Sequence, residues 1–324
     1  MKKLFFKHPF YGVIATALLC LFTFPSCKKD GSSNGSGGSG YAPTAIGVTD
    51  APIDDASVTS AFVTIANIQL DGVNVTGFTK TTVDLEAYQN GSIKSLGNFN
   101  LQGKIYNTIT FVLDFDMDAA GNSPGCYVVS NGGVKSKLQS TSNIVTVSKS
   151  FALTNGISSS LVADFDLRKM IIHQSGGGAD HYDFATAAEM SSAVRLVFEN
   201  ASGSISGTLT DNVSGSAKVV AYVYKKGTFN RAMEMQGQGS SNIEFKNAVS
   251  SALVNASGNY QLHFLESGDY EIHFASYKDL NGDGQYELVG TLIVIGAGGI
   301  DLLGLTVNAN TNITANATAT GVLL

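Results

Sequence analysis

The chain has 324 residues and a formal net charge of −6, with 20 basic against 26 acidic side chains, 36 glycines and no tryptophan. That acidic balance argues against nucleic acid and anionic lipid headgroups as partners. About 280 residues beyond an N-terminal leader are more than one sandwich core holds, which predicts two domains.

Lys2, Lys3 and Lys7 precede an apolar run from Pro9 to Phe24, and Pro25 and the small Ser26 follow before Cys27. A basic stretch, an apolar stretch and a small residue at the cut form an export signal over residues 1–26. The run is shorter than the roughly 18–20 residues a spanning helix needs, so the mature chain is expected to carry no transmembrane helix. The arrangement resembles a bacterial lipoprotein signal, which implies acylation of Cys27 through its sulfur and its amine with palmitate-class chains. Phe24-Pro25-Ser26-Cys27 departs from the usual Leu-Ala-Gly-Cys but keeps the small residue, whereas Cys20 follows bulky Leu19. A secretory signal without lipid is the alternative. Each buried CH₂ contributes about 0.8 kcal/mol, so two or three acyl chains make a lasting membrane anchor. Cleavage removes three lysines and takes the net charge from −6 to −9. It leaves Cys126 as the remaining free thiol, with no intrachain disulfide.

Residues 27–40 then run Lys28-Lys29-Asp30 into a Gly/Ser series, a flexible tether with an r.m.s. reach of roughly 20 Å. Charged residues directly after the cysteine resemble the surface-export signals of Bacteroidetes lipoproteins. The localisation that follows is the cell envelope, at the outer membrane and with surface display.

From residue 41 the pattern is β. Alternation recurs in 61–70, 105–113, 143–147 and 160–165, separated by Asn90-Gly91, Asn131-Gly132-Gly133 and Asn155-Gly156, which are turn chemistry. Helical periodicity is confined to Leu85–Gln89 and Ala185–Met190. Spaced strands with turns predict an all-β protein of two antiparallel β-sandwich domains. A polar break at Glu199-Asn200-Ala201-Ser202-Gly203 divides them into 41–200 and 203–324.

The phrases Thr49-Asp50-Ala51-Pro52-Ile53-Asp54-Asp55-Ala56, Asp84-Leu85, Thr110-Phe111-Val112-Leu113-Asp114 and Leu161-Val162-Ala163-Asp164-Phe165-Asp166 resemble, in that order, the bacterial lipoprotein domain of unknown function 4382 over residues 44–198. This implies a surface-tethered β domain and no activity. Ser257-Gly258-Asn259-Tyr260 through Leu265 and Ser267-Gly268-Asp269-Tyr270 through Phe274 resemble carboxypeptidase-regulatory-like and transthyretin-like domains, which implies a non-catalytic stalk or binding module. If these two strands form a hairpin, inward-facing residues pair Leu262 with Ile272 and Phe264 with Tyr270. His263 then lies opposite Glu271, and His273 opposite Gln261, on the solvated face.

Two acidic patterns suggest cations. Asp114, Asp116 and Asp118 recur at period two, as do Asp164 and Asp166, so each set projects from one strand face and repels itself unless neutralised. Asp50, Asp54 and Asp55 could add oxygens to such a site. The alternative is that the strands end near Asp114 and Asp164 and the acids solvate loops. Asp279, Asn281, Asp283, Gln285 and Glu287 reproduce the first half of a calcium loop, with Gly284 at its sharp turn. Gly290 stands where a bidentate acid would close an EF-hand, so a calcium-stabilised β-hairpin loop is meant, and a plain polar turn is its alternative.

Catalytic constellations are not evident: no Gly-x-Ser-x-Gly elbow sits in a strand-to-helix context, and Cys126 has no histidine partner nearby in sequence. The functional expectation is a lipid-anchored, non-catalytic binding or structural module for an extracellular or periplasmic protein or glycan. The alternative is an extracellular hydrolase or an accessory domain of a polysaccharide-utilisation system. The anchor generates the first prediction: Cys27→Ala abolishes labelling by a palmitate analogue and frees the protein from the membrane fraction or leaves it unprocessed. Equal labelling of the variant refutes lipidation at this residue.

Overall fold

A computed structural model describes residues 40–51, 58–130, 132–174, 181–216, 218–281 and 286–324. The leader, Cys27 and most of the tether, together with Asp54, Asp55, Asp283 and Gln285, lie outside the described residues. The N-terminal half supplies β1 (Tyr41–Ala51), β2 (Val58–Leu70), β3 (Val73–Asn74), β4 (Thr81–Asp84), β5 (Lys94–Gln102), β6 (Ile105–Leu113) and β7 (Tyr127–Ser130). It continues with β8 (Lys135–Lys137), β9 (Ile144–Ala152), β10 (Ser159–Asp166), helix α1 (Leu167–Met170), β11 (Ile171–Gln174), β12 (His181–Phe184), helix α2 (Ala187–Ala193) and β13 (Val194–Phe198). These form two layers, β13-β10-β1-β5 and β8-β7-β2-β6-β9, with β3 and β4 on β2 and β11-β12 as a separate hairpin.

One core lies between the layers, with Phe111 of one sheet edge-on to Phe165 of the other at 5.3 Å. Alternation explains which residues enter it. In β2 the inward set changes from Ala61, Val63 and Ile65 to Ile68 and Leu70. The ladder with β6 skips a residue between Ile65 and Asn67, a bulge that turns the second half of the strand by one position. Turn chemistry is also as expected, with Asn90 and Gly91 both at positive φ (54° and 82°).

The C-terminal half follows a one-turn 3-10 helix at Glu199–Ala201, where the polar break falls. It contains β14 (Ser202–Thr210), β15 (Lys218–Lys225), helix α3 (Arg231–Glu234), β16 (Ser250–Leu253), β17 (Asn259–Glu266) and β18 (Gly268–Lys278). After these come β19 (Glu287–Gly296), β20 (Leu305–Val307), β21 (Asn312–Thr314) and β22 (Ala317–Leu323). The hydrogen-bonded path is β16-β15-β18-β19-β22-β14-β17. The stretch between β15 and β16 covers the far side of β15 and β18, where Phe245 stacks on Tyr222 at 4.2 Å and Tyr222 shares a hydroxyl hydrogen bond with Tyr277 at 2.6 Å. Helices α1 and α3 have no counterpart in the sequence reading. All described residues belong to one compact unit.

The architecture is all-β, and most ladders are antiparallel. The exceptions are β1 with β10 and β14 with β21 and β22, which run parallel. Parallel neighbours need a long crossover, and the opposite layer provides it between β1 and β10.

The hairpin register does not form. β17 pairs with β14, while β18 pairs with β15, β19 and β20. Tyr260 and Phe274 meet edge-on across the core at 5.3 Å. Two inward rows satisfy alternation equally well side by side or face to face, so the pattern cannot separate a hairpin from a crossing between layers. Between Gly203–Leu265 and Ile205–Leu262 the ladder also contains an extra residue. Phe264 takes φ 54° there and points away from the core that Leu262 and Leu265 enter. It packs instead on Val162 and Val197 of the N-terminal half, beside Ile93.

This apolar contact joins the halves and is testable by a double-mutant cycle. Phe264→Ala is expected to cost about 3 kcal/mol of stability. Its effect and that of Val162→Ala should fall short of additivity by roughly 0.5–2 kcal/mol in chemical denaturation. Additive effects show that the two side chains do not support each other.

Candidate functional site

The outward face of β10 carries Val162, Asp164 and Asp166, while Leu161, Ala163 and Phe165 enter the first core. This face is covered by the C-terminal half, and its acids are neutralised by the chain's own cations. Asp164 lies directly opposite Arg195 of β13 in register and is paired with its guanidinium. The other guanidinium nitrogen of Arg195 donates to the Phe264 carbonyl at 3.0 Å. Asp166 pairs with Arg168 at 3.1 Å and Lys169 at 3.0 Å, all three side chains being nearly closed to solvent. Those cations donate onward to C-terminal-half carbonyls: Arg168 to Glu244 at 2.5 Å and Lys169 to Ala248 at 2.6 Å. The Arg168 guanidinium also lies 5.2 Å from the Tyr222 ring centre.

The other acids of that set lie elsewhere. β6 ends at Leu113, so Asp114, Asp116 and Asp118 occupy a loop. Lys80 holds Asp114 at 2.8 Å and Lys137 holds Asp116 at 2.7 Å. Asp118 accepts from the N–H groups of Ala120 and Asn122. The structure therefore brings together Asp50, Asp164 and Asp166 and separates them from Asp114 and Asp116.

Helix α2 makes a second clamp between the halves. Thr186 and Glu189 form a capping box at its start. Glu189 also accepts from the Ser241 hydroxyl at 2.6 Å and lies 3.6 Å from Lys246. Burial pushes this carboxyl up, but hydrogen bonds from Ser241 and Thr186 outweigh it and hold the pKa at about 2.

Two of the concavities at the junction concern the candidate site. One is a small cavity of about 20 Å³ bordered by Asp50, Asn90, Asp164, Ser251, Gln261 and His263. The other is an open groove of about 820 Å³. Val58, Glu86 and Gln89 of the N-terminal half line one part of it, and Asp211, Lys218, Asn255, Ser257 and Tyr286 of the C-terminal half line another.

In the 279–287 loop, Glu287 accepts from the Leu280 N–H at 2.8 Å and the Asn281 amide at 2.9 Å, so both of its oxygens close the loop on itself. Among the described residues, no three His, Cys, Asp or Glu side chains converge as a metal-ligand group. The histidines are dispersed. His263 meets Gln261 at 3.0 Å; His273 stacks on Phe229 at 3.7 Å, with Glu271 at 3.7 Å; His173 packs on Tyr182. His173 and His181 lie on the antiparallel pair β11 and β12. Cys126 is buried, bonded to the Thr64 N–H and the Asp114 carbonyl, and burial pushes its thiol up to about 12. A thiol so protonated is a poor nucleophile.

Residues 42–185 match the family described as "Domain of unknown function (DUF4382)". The match stops before β13, which completes the first sheet beside β10. No curated protein matches the chain. Among solved structures, the Bacillus anthracis TIE protein is 12% identical with a TM-score of 0.19, covering 86% of this chain and 34% of its own, so the chain spans about a third of that protein's length. The minor pilin GBS52 of Streptococcus agalactiae is 10% identical with a TM-score of 0.21, covering 87% and 97%. The major pilin BcpA of Bacillus cereus is 10% identical with a TM-score of 0.19, covering 86% and 71%. At such scores the backbones do not superpose as one architecture, and nothing about a ligand follows from them.

Sequence pattern alone does not single out Arg168, Lys169, Arg195 or Glu189. The signal that could have found two of them is the run Asp164-Phe165-Asp166-Leu167-Arg168-Lys169, where paired acids are followed at once by two cations. The Glu189 clamp gives a prediction with a definite sign. A carboxyl depressed from 4.5 to about 2 contributes stability that is present above pH 4.5 and lost as pH falls toward 2. Glu189→Gln should therefore cost about 1–2 kcal/mol at pH 7. The gap should narrow in melts at pH 3, and a constant gap excludes the carboxylate as its source.

Proposed function

We propose that the chain is a lipid-anchored envelope protein, held at the outer membrane through Cys27 and displayed at the surface. In this reading it acts as a non-catalytic binding module whose ligand lies in the groove at the junction of its halves. The two halves serve as sandwich domains 41–200 and 203–324, the second as a carboxypeptidase-regulatory-like module. The observation that carries the reading is the groove itself: it is open, and the turns of two sheets converge there with amide, hydroxyl and carboxylate groups and one tyrosine. Such a lining suits a polar extended ligand, a glycan or a peptide, with Tyr286 as the apolar platform that tryptophan would otherwise supply.

The hydrolase alternative requires a free acid and base across the groove. Both acids lining the groove are already hydrogen-bonded: Asp211 accepts from the N–H groups of Val213 and Ser214 and from the Ser214 hydroxyl, and Glu86 accepts from the Gln89 amide. That favours binding over turnover. Calcium taken up by Asp279, Asn281, Asp283, Gln285 and Glu287 would stiffen the loop that leads into Tyr286; support for it is the spacing of oxygen-bearing residues. Among the described residues, no helix is long and apolar enough to cross a membrane, and the reading assigns attachment to lipid.

The test is a glycan and protein array probed with the mature chain carrying Cys27→Ala. Reproducible hits should weaken at least tenfold in Gln89→Ala, Asn255→Ala or Tyr286→Ala in protein that remains folded by circular dichroism. Binding indifferent to all three changes removes the groove from the reading, and turnover of a polymer replaces the module with an enzyme.

A further inference from the structure

Asp50 sits near the end of β1, beside β10, and is 6% exposed. One carboxyl oxygen accepts from the Leu167 N–H at 3.3 Å. The other, Oδ2, is buried without a hydrogen-bond partner, and so is the Ser251 hydroxyl across the junction, a residue 3% exposed. Both residues border the 20 Å³ cavity. About one water-sized sphere needs 10–15 Å³ on this measure, so the cavity accommodates a single monatomic ion or water.

The charges around it balance only when Asp50 is neutral or a cation joins it. Asp164 is engaged by Arg195, and Asp166 by Arg168 and Lys169. Glu86, Asp164 and Asp166 all act on Asp50 to disfavour its ionised form, in addition to its burial. With Asp50 ionised, four carboxylates face three cations. The polar groups on the cavity wall are chiefly oxygen-bearing: the Asp50 and Asp164 carboxylates, the Ser251 hydroxyl and the Asn90 amide, while the Gln261 amide oxygen already meets His263. Hard cations select such a set, in which neutral oxygens supplement one or two carboxylates.

We propose that this junction cavity binds one hard cation, sodium or calcium, through Asp50 Oδ2 and Ser251 Oγ, tying the N-terminal half to the C-terminal half. Asp50 lies on β1 and Ser251 on β16, so the ion has ligands on both halves and is lost if they part. This site is separate from the groove and from the 279–287 loop.

The experiment uses the mature chain with Cys27→Ala, stripped with chelator and melted in calcium chloride, sodium chloride or choline chloride at equal ionic strength. One of the two metal ions should raise Tm saturably, by roughly 5 °C at a hundredfold excess over Kd. Elemental analysis of the calcium form, or sodium NMR line broadening for the other, identifies which. Measured in a Glu287→Ala background, which removes the carboxylate of the 279–287 loop, the shift should remain with the junction intact, vanish on adding Asp50→Asn and shrink on adding Ser251→Ala, which removes a single hydroxyl. Equal melting in all three salts overturns the proposal. So does a shift that persists when Asp50→Asn is added to the Glu287→Ala background, or one abolished by Glu287→Ala alone, which places the ion in the other loop. If Asp50→Asn does not fold, an undiminished shift in Ser251→Ala overturns the proposal in its place. None of these outcomes depends on the groove, whose array test stands apart.

Discussion

A charged sheet face closed off from water is the constraint on which the rest of this structure depends. Asp164 and Asp166 could not be covered by the C-terminal half unless Arg195, Arg168 and Lys169 came with them. Buried ion pairs of this kind stabilise little relative to an apolar contact, because desolvation consumes most of the attraction. Removing one partner, however, costs about 3–5 kcal/mol. The value of such a cluster lies in selecting one arrangement of the halves. The cations extend that selectivity, since their remaining hydrogens reach the carbonyls of Glu244, Ala248 and Phe264. A shift of one half against the other leaves several charged donors buried and unanswered.

Apolar packing at the same surface is modest by comparison. Val162, Val197 and Phe264 form a small cluster between two much larger cores. Phe264 reaches it because a bulge in β17 reverses the side on which its ring emerges. The junction therefore combines a small nonpolar seal with directional polar contacts at its margin, the Glu189–Ser241 pair among them. Surfaces built this way specify geometry more than they contribute affinity.

Much of the fold was legible because strands obey a period of two and turns need residues that tolerate positive φ. The Asn90-Gly91 turn and the β-rich blocks follow from those local rules. The pairing of strands did not follow, since Tyr260 and Phe274 satisfy the same alternation as neighbours in one sheet or as opponents across a core. Bulges at Ala66 and near Phe264 were equally hidden, because one inserted residue reverses a face without changing composition. At the junction, alternation alone implies that Asp164 and Asp166 require a counter-charge, and the structure supplies it from cations that fold back onto the same face. Grooves and cavities lay beyond reach, as they are made by turns far apart in the chain.

β1 begins at Tyr41, at the end nearest the tether, and occupies an interior position between β5 and β10. Its entry is fastened from both flanks, by the Gly103 N–H to the Gly40 carbonyl beside β5 and by the Gly156 N–H to the Tyr41 carbonyl ahead of β10. A pull delivered at Gly40 therefore runs along the strand axis and loads two ladders in shear, their hydrogen bonds sharing the strain together. Peeling, in which bonds break one after another, would require the strand to lie at an edge. The placement of this first strand gives the chain a mechanical grip wherever a pull reaches it through Gly40.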